Sequence, residues 1–394
     1  MRILLCSALC SKATIASLKK KTGVDISSST LQKYYRMIAY GFVKNQAEVT
    51  TASTIPVLSC PNKWLSEKSN REECIVFHYA SILNVPVLRQ MSIFVSTLLH
   101  GVRWCRDSKG EQRFVVADVL NISTSMSALL LRLFGVHVMG LMTDMPGLMV
   151  GDQGRLSNLI RKFNLWTLER FDSYIFLTEA MNEVVNRKNK PYMIMEGLVD
   201  SDMKGAERCV DKDVRKIVYA GGLHERYGLR MLVEGFMNVE GDDLRLDIYG
   251  RGPFADKLPE YESKDGRVRY HGLKPNAEIV REELSATLLV NPRPTHEEFV
   301  KYSFPSKNME YMASGTPLLT AKLPGMPVEY HQYVYLIEEE TTEGVDAASQ
   351  HLLEDLDSDA LNAKGASAKQ FVLKSKNNVC QTQRVLDFYQ SICK

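Results

Sequence analysis

The sequence predicts an α/β protein built from two parallel-sheet domains, and three observations carry that reading. Short apolar runs alternate with longer helix-compatible stretches, the alternation restarts near residue 214 after a polar segment, and 394 residues of which 45% are hydrophobic suffice for a core in each half. In the first half, residues 3–5, 75–78, 114–116, 137–141 and 174–177 read as strands, and 31–40, 90–100, 123–134 and 156–170 as helices. In the second, 216–220, 244–249, 268–270, 286–290 and 317–320 read as strands, 230–236 as a helix, and 345–361 and 366–392 as helical. The boundaries expected are 1–200 for the first domain, 201–213 for a linker (the polar run DSDMKGAERCVDKD begins at Asp200), 214–364 for the second domain and 365–394 for a helical segment packing back towards the first.

The near-neutral total, 49 basic against 47 acidic side chains, gives no reason to expect nucleic acid as a partner. It conceals a split: residues 1–200 carry 24 basic and 16 acidic groups, and 201–394 carry 25 and 31. The eight cysteines include no CxxC pair and read as reduced thiols, which suits a cytoplasmic protein. The opening MRILLCSAL reads as a buried strand, with a shortened secretion signal as the alternative. No run reaches 18 consecutive apolar residues, so any membrane contact is expected to be peripheral. Lys12, Lys19, Lys20, Lys21, Lys33 and Arg36, near Tyr34, Tyr35 and Tyr40, are the groups expected to meet an anionic membrane face, against an ordinary solvated surface.

Two stretches carry the chemistry. In VYAGGLHERYGLRMLVEGF (218–236), Gly221 and Gly222 follow a strand and precede a helix using Leu229, Leu232, Val233 and Phe236, a place where backbone N–H groups can approach an anion. Steric need at a strand end explains the same pair, and the GxGxxG of dinucleotide enzymes is absent. In NPRPTHEEFVKYSFPSKNMEYMASGTPLLT (291–320), a strand, a polar loop and a short helix place Arg293, Ser306, Lys307 and Glu310 beyond a strand's carboxyl end. A glutamate there can accept two ribose hydroxyl hydrogens and the cations can neutralise a diphosphate. The plain alternative is a solvent-facing Lys307–Glu310 pair at i, i+3. Asp144 and Asp118 follow strands of the first domain and could meet a sugar or acceptor, or form turns. Glu196 could lie by the hinge and the nucleotide sugar or serve a turn; His78, His224 and His271 follow or end strands, with no metal-ligand spacing.

SFPSKNMEYMASGTP (303–317) and PGMPVEY (324–330) resemble the donor-side signature of family 4 glycosyltransferases, most nearly those that build bacterial capsular or exopolysaccharide chains. YAGGLHERYG (219–228), IYGRG (248–252), RYHGL (269–273), TDMP (143–146), LTEAMN (177–182) and MEGLVD (195–200) follow in the family's order. The resemblance implies the GT-B fold, two Rossmann-like domains facing a central cleft. It further implies a retaining hexosyl transfer, independent of metal, from a nucleotide-diphosphate sugar to a lipid-linked or polysaccharide acceptor. Glu310 matches the ribose-binding second glutamate of the family's E-x7-E, whereas Tyr302 stands where the first would be, leaving its role to His296, Glu297 or Glu298 or to none of them. Gly222 and Tyr227 replace the family's basic pair, so Arg226, Arg293 and Lys307 are the candidate phosphate cations, Lys307 favoured. The implied catalytic set is Asp144, Lys307, His296 and Glu298; the donor set is Gly221, Gly222, Arg226, Arg293, Ser306, Lys307 and Glu310. The DxD spacings at Asp200, Asp211, Asp355 and Asp357 read as exposed polar stretches rather than metal sites. A 2-epimerase or phosphorylase of the same fold, and a non-catalytic nucleotide- or sugar-binding scaffold, remain the other readings.

Overall fold

The structure is a computed structural model and describes residues 1–27, 29–56, 64–85, 87–145, 155–205, 207–210 and 214–393. Cys60, Pro146 of the TDMP run, and Asp211 with Asp213 lie outside the described residues. The chain forms two compact units, one of Met1–Met195 with Asn378–Lys394 and one of Glu196–Asn377.

The first unit holds strands β1 (Arg2–Ser7), β2 (Glu48–Ser53), β3 (Trp64–Leu65), β4 (Asn70–Glu72), β5 (Ile75–Tyr79), β6 (Ile82–Leu83), β7 (Arg113–Asp118), β8 (His137–Met142), β9 (Ser173–Phe176) and β10 (Tyr192–Ile194). Eight of them form one sheet in the order β10-β9-β8-β7-β1-β2-β5-β4, parallel except for β4, which runs against β5. The near-continuous burial of Ile3, Leu4, Leu5 and Cys6 is what a sheet covered on both faces requires. Helix Thr30–Lys44 packs on the last helix, Asn378–Ile392: Asn45 Nδ2 donates to Val379 O (2.8 Å), and Tyr389 stacks on Phe114 with ring centres 4.4 Å apart. The sequence reading missed β2, β10 and the helix Lys12–Thr22, and it treated 366–392 as one helix. The structure has two, Ser358–Ser375 and Asn378–Ile392, divided at Lys376 and Asn377, so that the first belongs to the second unit and the other to the first.

The second unit holds β11 (Arg215–Gly222), β12 (Leu244–Arg251), β13 (Val268–Gly272), β14 (Leu288–Asn291), β15 (Leu318–Ala321) and β16 (Tyr335–Ile337), in one parallel sheet of order β13-β12-β11-β14-β15-β16. The period of two along β11 divides its core: Ile217 and Tyr219 pack with Leu229, Leu232 and Phe236, while Val218 and Ala220 pack with Tyr311, Met312 and Val372 on the other face. Of the segment expected as a linker, Ser201–Gly205 is a 3₁₀ turn, and Arg208 reaches Ala286 O (2.7 Å) inside the second unit. The helical stretch expected at 345–361 is interrupted, since Thr342–Gln350 ends in a π-turn at His351–Asp355 before Asp357 caps the next helix.

Candidate active site

The carboxyl ends of β11, β12 and β14 lie along one edge of the second sheet, because all its strands run parallel. Glycine is needed where these ends meet. Gly250 has φ +134°, and a Cβ there would lie 1.8 Å from Gly221 O, so β12 can press against the β11 glycines only without a side chain. After β11 the chain makes a short turn, Glu225–Tyr227, and enters helix Leu229–Asn238 through Gly228 at φ +82°. A Cβ on Gly228 would lie 2.1 Å from Pro292 O, which brings the loop after β14 directly onto this turn.

That approach builds a cluster of two arginines on two rings. The Arg293 guanidinium lies 4.8 Å from the Tyr227 ring centre and 5.6 Å from that of Phe299; Arg226 lies 5.5 and 5.3 Å from the same rings. The rings meet edge to face at 6.0 Å, with His224 5.2 Å from Tyr227. Arg293 Nε is buried with no hydrogen-bond partner among the described residues. Burial pulls the Arg293 pKa below its usual value; the other groups acting on it are Tyr227, Tyr219 and Arg226, with no carboxylate among them. Tyr227, which stands where a lysine was missed, is thus the shelf on which two cations rest.

Lys307 and Glu310 sit on helix Ser306–Ser314, one turn apart, and form an ion pair at 2.7 Å, each side chain one-third exposed. This much matches the plain i, i+3 alternative. A third member changes its character: Lys307 Nζ also lies 3.6 Å from Glu283, a buried carboxylate on helix Asn276–Ser285 that sequence reasoning did not single out. Burial opposes the Lys307 charge, but Glu310 and Glu283 outweigh it and hold its pKa above the usual value. Ser306 is exposed at the first position of this helix.

Two buried contacts fix the helix against the strand ends. Tyr311 Oη donates to Ala220 O (3.1 Å) and accepts from Ala220 N–H (2.8 Å), just before Gly221; Asn291, the last residue of β14, donates through Nδ2 to Asn308 Oδ1 (2.6 Å). Both Tyr311 and Asn308 lie inside the motif quoted above, yet their partners are 91 and 17 residues away, which no local pattern displays.

The remaining candidates are placed as follows. His296 is exposed in the loop after β14; Glu298 opens the turn Glu298–Tyr302, is exposed, and pairs with Lys301 at 3.6 Å. Glu196 is buried and serves the fold: its Oε1 accepts from Tyr330 Oη (2.7 Å) and pairs with Lys376 (2.6 Å), which also pairs with Glu329 (2.7 Å). PGMPVEY therefore ties the first and last segments of the second unit together. His271 bonds Asp247 at 2.7 Å and stacks on Tyr249. In the first unit Asp118 ends β7, is buried, and accepts Leu120 N–H at 2.9 Å in the turn that was its plain alternative; burial pushes its carboxyl above the usual range. Asp144 follows β8 and is exposed. Asp200 is half-buried and accepts Asp202 N–H (2.9 Å); among the described residues no three His, Cys, Asp or Glu side chains converge as metal ligands.

Residues 214–355 match the family model described as glycosyl transferases group 1. The second unit carries a glycosyltransferase domain. That glycosyltransferase domain contains the arginine cluster and the Lys307–Glu310–Glu283 group in full. Among solved structures, the whole chain is similar to the sucrose-phosphate synthase of Thermosynechococcus elongatus (TM-score 0.70, 13% identity, 100% of this chain and 99% of that one). It is also similar to the lipopolysaccharide outer core galactosyltransferase WaaB (0.62, 12%, 100% and 100%) and to HepE of Anabaena in complex with UDP (0.65, 12%, 99% and 100%). These likenesses show the fold, which is GT-B with two parallel-sheet domains. No curated relative matches the chain.

Proposed function

We propose that the protein transfers a hexosyl unit from a nucleotide-diphosphate sugar to a lipid-linked or polysaccharide acceptor, with retention of configuration and without a bound metal. The observation that carries the donor half is the edge of the second sheet, where Glu310 and the Arg226–Arg293 cluster stand on elements fixed to one another by Tyr311 and Asn308. HepE, similar in fold, is described in complexes with UDP and with UDP-glucose, which supports a donor of this class.

In this reading Glu310 accepts the ribose hydroxyl hydrogens, and Arg226 and Arg293 face the diphosphate, whose charge grows as the glycosidic bond breaks. Placing two guanidiniums beforehand, on rings rather than on carboxylates, leaves their charge for the leaving group. When Glu310 turns to the ribose, Lys307 keeps the buried Glu283 as its partner and its charge stays balanced there. Glycines 221 and 222 let backbone N–H groups come close to the same anion. His296 is the residue of the β14 loop that we carry forward for the role left by Tyr302, because Glu298 already pairs with Lys301. Asp144, exposed after β8, is assigned to the acceptor sugar in the first unit, which becomes the acceptor-binding domain. The protein is placed in the cytoplasm, where nucleotide sugars are made available, in the service of capsule or exopolysaccharide assembly.

The test is direct. Purified protein given a panel of nucleotide sugars and a lipid-linked acceptor should release a nucleoside diphosphate and raise the product mass by one hexose, and Glu310→Ala should weaken donor binding by about 2 kcal/mol, roughly thirtyfold. Nucleotide binding with no diphosphate released and no mass change would favour a binding scaffold instead.

A further inference from the structure

Helix Leu88–Asp107 of the first unit buries Ile93, Thr97, Gly101, Trp104 and Cys105. The opposite side of such a helix is ordinarily polar. Here it presents Leu88, Met91, Val95 and Leu99, which are 44, 57, 50 and 65% exposed and fall at spacings of three, four and four residues. That spacing makes one stripe, three turns and roughly 16 Å long, and exposed Arg103 and Arg106 continue it. The helix carries no acidic residue before Asp107.

We propose that this face docks on a bilayer containing anionic lipid, with the Leu88–Leu99 stripe at the boundary of headgroups and acyl chains and Arg103 and Arg106 on the headgroup phosphates. Apolar residues on one side with basic ones at the end of the same stripe match the two layers of such a surface. A second copy of the chain fits less well. Paired in parallel, the two helices would bring Arg103 and Arg106 together; paired antiparallel, they would lay those guanidiniums against Leu88 and Met91.

The lysine-rich start of the chain, the other basic region, is differently equipped. Lys12 pairs with Glu73 (3.3 Å), Lys19 with Asp25 (2.7 Å), Lys21 with Glu67 (2.6 Å) and Arg36 with Glu72 (2.8 Å), so much of its charge is already balanced. The proposal does not depend on the donor reading, and a failure of either leaves the other standing.

Flotation of the full chain with phosphatidylcholine vesicles, alone and mixed with phosphatidylglycerol, tests it. The protein should float with the mixed vesicles and not with phosphatidylcholine alone. M91D combined with L99D should reduce binding about tenfold or more, R103Q with R106Q should reduce it and flatten its salt dependence, and K19Q with K20Q and K21Q should leave it unchanged. The stripe residues are exposed, so the variants should melt like the parent; nucleotide binding serves as a further check of folding. Absence of flotation by the parent, or a stripe variant that floats equally well, would overturn the proposal. So would a parent dimer in light scattering that the stripe variant turns into a monomer with flotation unchanged, since the second copy would then be the occupant.

Discussion

Lys307 and Arg293 sit at the same edge of the second sheet and keep different company. Lys307 is held between two carboxylates, one of them buried, and with Glu310 and Glu283 forms a group of net negative charge. Arg293 and Arg226 rest on Tyr227 and Phe299, and the groups acting on Arg293 include no carboxylate. A cation's value to an anionic ligand depends on what already neutralises it. A lysine inside the best-matching motif is less available than an arginine that no motif marks. Aromatic faces orient a guanidinium without cancelling its charge, which is how a chain with glycine and tyrosine in place of a basic pair can still offer two cations to a diphosphate.

The comparison can be broken in graded steps. Replacing both arginines, R226Q with R293Q, should have the largest effect, a loss of about 3 kcal/mol or more in nucleoside diphosphate affinity, with the free nucleoside barely affected, read by calorimetric titration. Asn308→Ala leaves Asn291 without its buried partner and should lower the stability of the second unit by roughly 1–3 kcal/mol, visible as a shift in denaturant midpoint, while removing a fixed point of the helix that carries Glu310. Tyr227→Leu keeps both arginines but takes away their shelf. It should weaken diphosphate binding by about 1 kcal/mol, roughly fivefold, with little change in stability. Equal losses in Tyr227→Leu and in the double arginine variant would mean that the shelf, and not the charges, is what matters.

The smallest effect belongs to the first unit, where His78 and His100 stack 5.1 Å apart. Burial lowers the pKa of both; His100 and Arg103 lower that of His78 further, and Arg103 that of His100. A histidine whose pKa is depressed on folding contributes stability that is full above its unfolded value near 6.5 and falls away as the pH drops through and below it. The melting temperature should therefore decline modestly from pH 7 to pH 5, and Gln in place of both histidines should flatten that decline.

Much of the fold was legible because parallel strands buried on both faces announce themselves as apolar runs: β1, β7, β8, β11 and β12 all contain the segments read from sequence. β2 escaped because its sequence, EVTTAS, is half hydroxyl-bearing even though Thr51 and Ser53 are buried between β1 and β5. The single C-terminal helix was expected because nothing in the run from residue 366 to 392 is a strong breaker. The division at Lys376 is set by its tertiary ion pairs with Glu196 and Glu329. At the site, Glu310, Lys307 and Arg293 could be named from residue type and position. Glu283, Asn308, Tyr311 and Phe299 could not be given roles, because each acts through a neighbour brought in from another element. Asp118 shows the opposite limit: a carboxylate at a strand end suits chemistry and a turn alike, and the contact the structure shows is Leu120 N–H donating to it within its own turn.

In the proposed function the aromatic-borne arginines, and not Lys307, neutralise the donor diphosphate. Titration of R293Q and K307Q side by side with inorganic pyrophosphate tests it most directly. Affinity should fall at least tenfold in R293Q, about 1.4 kcal/mol, and change less than threefold in K307Q, about 0.7 kcal/mol. Parent-like affinity in R293Q together with a large loss in K307Q would contradict it.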